Sequence, residues 1–108
     1  MKTDFDAIMQ QATLQVNARW AHILAQHESV YPCGVSYLTF KDVRTPFIKY
    51  LKKNGLGHPG VDRGWVLSSS EFMPTDSQNM FVREEVCSIA REVFGEHGIE
   101  CHVRTRID

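Results

Sequence analysis

The chain has 108 residues, of which 43% are hydrophobic and 23% are charged, and its formal net charge is −1. This is the composition of one globular domain over residues 1–108, and it excludes an intrinsically disordered chain. A nearly neutral chain has no global attraction for nucleic acid or anionic membranes, so an anion-binding site has to be a local patch of charge.

The cysteines and the opening segment bear on the compartment. Cys33, Cys87 and Cys101 are an odd number without Cys-x-x-Cys spacing, which argues against a disulfide framework and for a reducing compartment. The opening MKTDFDAIMQQ is acidic and amphipathic, unlike a signal peptide, and no apolar run reaches the roughly 18–20 residues that span a bilayer. The sequence therefore predicts a soluble, cytoplasmic protein without a membrane partner.

The first predicted element is a helix over residues 4–28. Thr3 and Asp6 resemble a capping box at its start, and an apolar stripe with helical spacing follows. The helix ends before the segment Tyr31-Pro32-Cys33-Gly34, because proline disfavours the helical conformation of the residue that precedes it.

The segment GVSYLTF, residues 34–40, predicts the first strand, since it is rich in β-branched and aromatic residues. Val35 and Tyr37 lie on one face of this strand, and Leu38 and Phe40 lie on the other. Because both faces are apolar, we expect a central strand that helices or a partner subunit cover on both sides.

A second helix is predicted from Thr45-Pro46, with threonine as N-cap, to Asn54-Gly55, which is typical of a left-handed C-terminal cap. Residues 55–64 contain four glycines and one proline, so they predict a loop. Such a loop is either a mobile flap over a site or a plain connection.

The last third of the chain predicts two strands and a helix. Residues 65–70 form a short strand, and Asp76 or Ser77 caps a third helix that runs to about His97. Gly98 is the expected C-terminal cap, and the alternating segment ECHVRTRID, residues 100–108, predicts the last strand.

The predicted order of elements is α-β-α-β-α-β. Strands that alternate with helices favour an α/β domain, with three helices packed on a three-stranded, mostly parallel sheet. An antiparallel α+β arrangement is the main alternative, because the short connections do not require parallel strands. A small sheet leaves unpaired edges, which is compatible with a homodimer or a larger homo-oligomer.

In a parallel sheet, ligands collect beyond the carboxyl ends of the strands. The residues at those ends are cationic or carry hydroxyl groups, which suit phosphate or carboxylate binding. The alternative is that they are solvated charges paired with Asp42, Glu71 and Asp108. The predicted anion-binding rim consists of Lys41, Arg44, Thr45, Ser68, Ser70, Arg104 and Arg106.

The sequence gives less support to a metal site or to catalysis, and it predicts no cofactor. His97, Cys101 and His102 are close in sequence, but neighbouring residues of a strand point to opposite faces. Cys33 near a histidine is a candidate nucleophile for a small enzyme that acts on a phosphorylated substrate, although no known nucleophile motif surrounds it. Residue Cys87 is predicted to be part of the core.

A nucleic-acid-binding module is a further alternative. Arg104 and Arg106, with Tyr37 and Trp65 on neighbouring strands, are the residue types of a sheet platform for bases. The sequence pI of about 6.5 argues against this, because dedicated nucleic-acid binders are usually basic.

Several of these residues resemble a pattern in a group of small uncharacterised bacteriophage proteins. The pattern combines a Pro32-Cys33-Gly34 entry into an aromatic strand, Arg44 before Phe47 and Leu51, a Gly-rich loop before Trp65, and an ending on Arg106-Ile107-Asp108. Val35 and Tyr37 depart mildly from the more aromatic strand of that group.

The group has no assigned activity, so the resemblance transfers no catalytic residues. It implies a phage-encoded accessory protein of the host-takeover or anti-defence type in the bacterial cytoplasm. Such a protein acts by occupying a host protein or an anionic small molecule such as a nucleotide.

Overall fold

The computed structural model describes residues 3–27, 32–60 and 62–107. In chain order these residues form α1 (Phe5–Gln26), β1 (Gly34–Phe40), α2 (Pro46–Lys53), β2 (His58–Pro59), β3 (Trp65–Ser68), a short 3₁₀ helix (Ser69–Glu71), α3 (Met80–Glu96) and β4 (His102–Ile107). The expected end of the first helix at residue 28, and the positions 31 and 108 named above, lie outside the described residues.

The four strands form one sheet in the order β2-β3-β1-β4, and every neighbouring pair is antiparallel. The prediction of a three-stranded, mostly parallel sheet is therefore wrong. Helix α2 has only eight residues and does not carry the chain back along the sheet, so β3 runs opposite to β1. Helix α3 makes the long crossover, but it joins β3 to β4, and β1 lies between these two strands in the opposite direction.

Strand β1 occupies the central position that its composition predicted, and its bounds match the prediction. Its residues Ser36, Leu38 and Phe40 are buried against the helices. Val35 and Tyr37 lie on the other face and are only half-buried. No helix of the described residues covers that second face, so helices cover this strand on one side only, and cover of the other side by a partner subunit stays a prediction.

The core lies between the helices and the covered face of the sheet. Helix α1 packs on α3 through four buried residues, Ile8, Ala12, Val16 and Ile23. Phe94 of α3 is fully buried, and its ring centroid lies 5.2 Å from that of Phe47, 6.0 Å from that of Phe72 and 6.2 Å from that of Phe40. This aromatic cluster joins α2 and α3 to the sheet, and Cys87 is buried in the same core, as predicted.

The sequence located the ends of α2 but misassigned two other helix starts. Thr45 accepts a hydrogen bond from the Ile48 N–H at 3.3 Å, which confirms it as the N-cap of α2. Helix α1 is capped by Asp4 rather than by Thr3, through a 3.1 Å hydrogen bond from the Ala7 N–H. Short polar side chains are interchangeable as caps, so a run of them does not identify the one that folds into place.

Helix α3 begins at Met80 and is capped by Asn79, not by Asp76 or Ser77. The Asn79 Oδ1 accepts from the Val82 N–H at 3.3 Å, and its Nδ2 donates to the His27 carbonyl oxygen at 2.7 Å. One buried side chain therefore starts α3 and ties it to the end of α1. Asp76 instead accepts from the Arg83 guanidinium at 2.8 Å.

No helix among residues 3–27, 32–60 and 62–107 combines the length and the apolar character that crossing a bilayer requires.

Two phenylalanines of α3 provide a matched test of the core. Phe94→Ala leaves a cavity in the aromatic cluster, so we expect the free energy of unfolding to fall by about 3–5 kcal/mol. Phe81 lies on the same helix but is 42% exposed, and Phe81→Ala should cost about 1 kcal/mol. Urea denaturation followed by circular dichroism measures both values. Equal losses would contradict the assignment of Phe94 to the core.

Candidate functional site

The sheet face that no helix covers, called the open face here, carries a broad depression of about 700 Å³. Residues directly opposite each other on paired strands share a face, so the strand register identifies the members. The open face consists of Val35, Tyr37 and Thr39 from β1, Val66 and Ser68 from β3, His58 from β2, and His102, Arg104 and Arg106 from β4.

Two arginines define the electrostatics of the open face. Arg104 lies opposite Tyr37, and Arg106 lies opposite Val35, so both side chains project from the same side of β4 and line the depression. Within the described part of the chain, neither guanidinium has a carboxylate within 4.0 Å, whereas Arg44 and Arg83 each form an ion pair. The depression therefore has a cationic side whose charge the described residues do not neutralise.

Tyr37 and Ser68 occupy the middle of the depression. Tyr37 is half-buried on the central strand, with Arg104 opposite it on β4 and Ser68 opposite it on β3. The Ser68 Oγ accepts hydrogen bonds from the Ser70 N–H at 3.2 Å and from the Ser70 hydroxyl at 2.9 Å. Its own hydroxyl proton remains available to a ligand, because both of these contacts use Ser68 as the acceptor.

The glycine-rich segment forms the opposite side of the depression. Sequence reasoning placed no strand there, but His58–Pro59 pairs with β3. The Gly60 N–H then donates to the Gly64 carbonyl oxygen at 2.8 Å, which closes a tight turn around Asp62. The Asp62 carboxylate lines this side of the depression. Strands β2 and β4 are three strand spacings apart, about 14 Å, so screening by salt weakens its effect on the arginines.

The predicted rim of seven residues does not form. Gly34 lies opposite Ile107 and Thr39 lies opposite His102, so the carboxyl end of β1 meets the beginning of β4 rather than its end. Of the seven residues, the structure brings together Ser68, Arg104 and Arg106 on the open face.

The other four members of the predicted rim lie elsewhere. Lys41 and Thr45 line a separate depression of about 540 Å³ beside His97 and His102. Ser70 lines a third depression, which has a volume of about 550 Å³.

Arg44 pairs with Asp42 and lines none of these three depressions. Its Nε lies 3.3 Å from the Asp42 Oδ1, and its side chain is 90% exposed. The backbone N–H and the guanidinium of Arg44 hold the pKa of the Asp42 carboxyl below its usual value. This is the pairing that the alternative interpretation of the rim predicted for Asp42.

The geometry gives little support to a metal site or to a platform for nucleic-acid bases. Among the described residues, no three histidine, cysteine or carboxylate side chains come close enough together to hold a metal ion. Trp65 lies opposite Phe40 on the covered face, and its Nε1 donates to the Leu56 carbonyl oxygen at 3.0 Å. Tyr37 is on the open face, so the predicted platform of these two aromatic rings does not form.

Sequence reasoning overlooked Thr39, His58 and Asp62 as residues around the depression. The alternation along β1 already placed Thr39 on the same side as Val35 and Tyr37, so the sequence pattern could have identified this residue. The sequence could not have identified His58 and Asp62, because β2 has only two residues and lies in a segment rich in glycine.

Comparison with known proteins finds no matching family model, no similar curated protein and no similar solved structure.

The three thiols should differ sharply in reactivity. Burial raises the pKa of Cys87 to about 11 and that of Cys101 to about 12, whereas Cys33 is exposed. Because the thiolate is the nucleophile, iodoacetamide at pH 8 should modify one site in the native protein and three in denaturant. Intact mass spectrometry counts the adducts, and Cys33→Ser should reduce the native count to zero. Rapid modification of two or three thiols in the native protein would contradict the burial.

Proposed function

We propose that this chain is a non-enzymatic binding module that holds an anionic small molecule of nucleotide size on the open face. The observation that carries this proposal is the position of Arg104 and Arg106 on one face beside Tyr37, in a depression of about 700 Å³. Small-molecule sites are concave and usually have volumes of roughly 300–1,000 Å³.

The lining side chains suit a phosphorylated aromatic ligand. Guanidinium groups bind phosphate oxygens through paired, charge-assisted hydrogen bonds, and two of them are available on β4. The Tyr37 ring offers a surface on which a base stacks, and the Ser68 hydroxyl proton is free to bond a sugar or phosphate oxygen. Val35 and Val66 supply the apolar contacts that such sites also need.

A binding role is favoured over an enzymatic one because the described lining residues include no nucleophile held by a base. Cys33 does not line the depression. The histidine that does, His58, has its Nδ1 3.0 Å from the carbonyl oxygen of its own neighbour, Pro59. Covalent catalysis needs a nucleophile in hydrogen-bond contact with an oriented base.

The cellular setting is part of the same proposal. The resemblance to bacteriophage proteins leads us to propose a phage-encoded accessory protein in the cytoplasm of the host bacterium. There it would act by sequestering a nucleotide or by occupying a host protein. Isolation of the tagged protein from infected cells, with mass spectrometry of the bound small molecules and proteins, tests this setting. A preparation that carries neither would contradict it.

Titration calorimetry with a panel of nucleotides tests the anion site. We expect binding by the native protein, and Arg104→Ala and Arg106→Ala should each weaken it about 10- to 150-fold, because a hydrogen bond to a charged group contributes about 1.5–3 kcal/mol. Arg44→Ala is the matched control, since Arg44 is exposed and pairs with Asp42 away from the open face. Absence of heat with every nucleotide, or an equal loss in the control, would contradict the proposal.

The same titrations separate this site from a nucleic-acid platform. A mononucleotide site gains little from a longer chain, whereas a platform gains contacts with each added base, and its affinity falls steeply with salt. A single-stranded oligonucleotide that binds many times more tightly than the mononucleotide, with a steep salt dependence, would replace the proposed function by nucleic-acid binding.

Tyr37→Ala tests the stacking surface separately from the charge. Stacking of a base on an aromatic ring contributes about 1–3 kcal/mol, so the affinity for a nucleotide should fall about 5- to 150-fold. The affinity for inorganic pyrophosphate, which has no base, should stay within about twofold, and Tyr37→Phe should keep the affinity for both ligands. Equal losses for nucleotide and pyrophosphate would place the base elsewhere.

A further inference from the structure

Strand β4 is the last strand of the sheet, and its outer edge is available for pairing. In the described residues, no backbone hydrogen bond joins this edge to another segment. An unpaired edge presents a row of N–H and C=O groups to which a further extended chain can add.

The contacts of β4 identify which of its backbone groups point outwards. The Ser36 hydroxyl donates to the Arg104 carbonyl oxygen at 3.1 Å, and a Cβ at Gly34 would lie 2.6 Å from the Arg106 carbonyl oxygen. The carbonyls of these alternate residues therefore face β1. In an extended strand the N–H and C=O of one residue point to the same side, and the side alternates along the chain. The N–H and C=O groups of Val103, Thr105 and Ile107 consequently face outwards.

We propose that the outer edge of β4 binds an extended, acidic protein segment as a fifth strand of the sheet. A segment that bonds to the backbone of Thr105 places its two flanking residues opposite Arg104 and Arg106, on the open face. These are the positions without direct backbone bonds in an antiparallel pair, where facing side chains come closest. Glutamate or aspartate at both flanking positions therefore meets the two arginines.

A second copy of this chain is disfavoured in the three registers centred on Arg104, Thr105 or Arg106. Antiparallel pairing of β4 with its copy, centred on residue 104, 105 or 106, places an arginine directly opposite an arginine in every case. Like charges directly opposite each other destabilise a sheet. The partner that complements this edge carries acidic residues opposite Arg104 and Arg106 and an apolar residue opposite Ile107, which is 64% exposed.

The probe is the blocked pentapeptide Val-Glu-Val-Glu-Thr, titrated into the intact protein and followed by amide NMR spectra and hydrogen exchange. We expect the amides of Val103, Thr105 and Ile107 to gain protection on binding. The amides of Arg104 and Arg106, which already bond to β1, should change little. The peptide Val-Lys-Val-Lys-Thr should not bind, and Arg104→Ala together with Arg106→Ala should weaken binding of the acidic peptide about tenfold or more.

N-methylation of the probe distinguishes strand addition from simple attraction of charge. A methyl group on the central valine nitrogen removes a bond to β4 and should weaken binding about tenfold or more, whereas a methyl group on either glutamate nitrogen points away and should be tolerated. Equal effects of the two modifications would overturn strand addition. Absence of binding would also overturn strand addition, and it would indicate that the arginines prevent pairing at this edge. A dimer of the protein alone, with a protected Thr105 amide, would assign the edge to a second copy. None of these outcomes depends on nucleotide binding.

Discussion

The one-sided packing of β1 is the constraint on which the other features depend. This strand pairs along both edges, so its backbone is satisfied, but the helices cover only the face of Ser36, Leu38 and Phe40. Burial of apolar surface is the main favourable term in folding, and here α3, with α1 packed on it, contributes to that burial on this single face. The opposite face carries only the side chains of the strands, with no helix of the described residues packed on it. It is therefore a surface and not part of the core.

Strand β4 connects this packing to the proposed functions. Its residues alternate between the two faces, so Val103 and Thr105 face α3 while Arg104 and Arg106 face the depression. Thr105 is held by a 2.8 Å hydrogen bond to the Glu84 carboxylate, which fixes the strand on the helix side. The side chains of β4 supply the proposed anion site, and its outward backbone groups supply the proposed edge for a peptide. Both proposals use the same arginines, so an acidic strand and a nucleotide would compete for them.

Local patterns gave correct answers where a few neighbouring residues decide the outcome. Thr45-Pro46 starts α2, Asn54-Gly55 ends it with Gly55 at a φ of 68°, and the bounds of β1 match the β-branched and aromatic run. The cap of α3 was misplaced because Asn79 competes with Asp76 and Ser77 within four residues. Its advantage is the contact with the His27 carbonyl oxygen, 52 residues earlier in the chain. The short strand β2 gave no signal, because two residues are too few to show a period.

The sequence by itself determined which residues share a side of each strand, because alternation is a local property of the extended backbone. It therefore paired Arg104 with Arg106 and Val35 with Tyr37 before any fold was known. Only the tertiary structure decided the direction of neighbouring strands and which face the helices cover. These depend on contacts between distant segments, such as Leu38 with Leu67 and Tyr37 with Arg104. Some residues of the predicted rim at the strand ends instead form part of a surface across the sheet. The reason is that antiparallel neighbours place their carboxyl ends at opposite ends of the sheet.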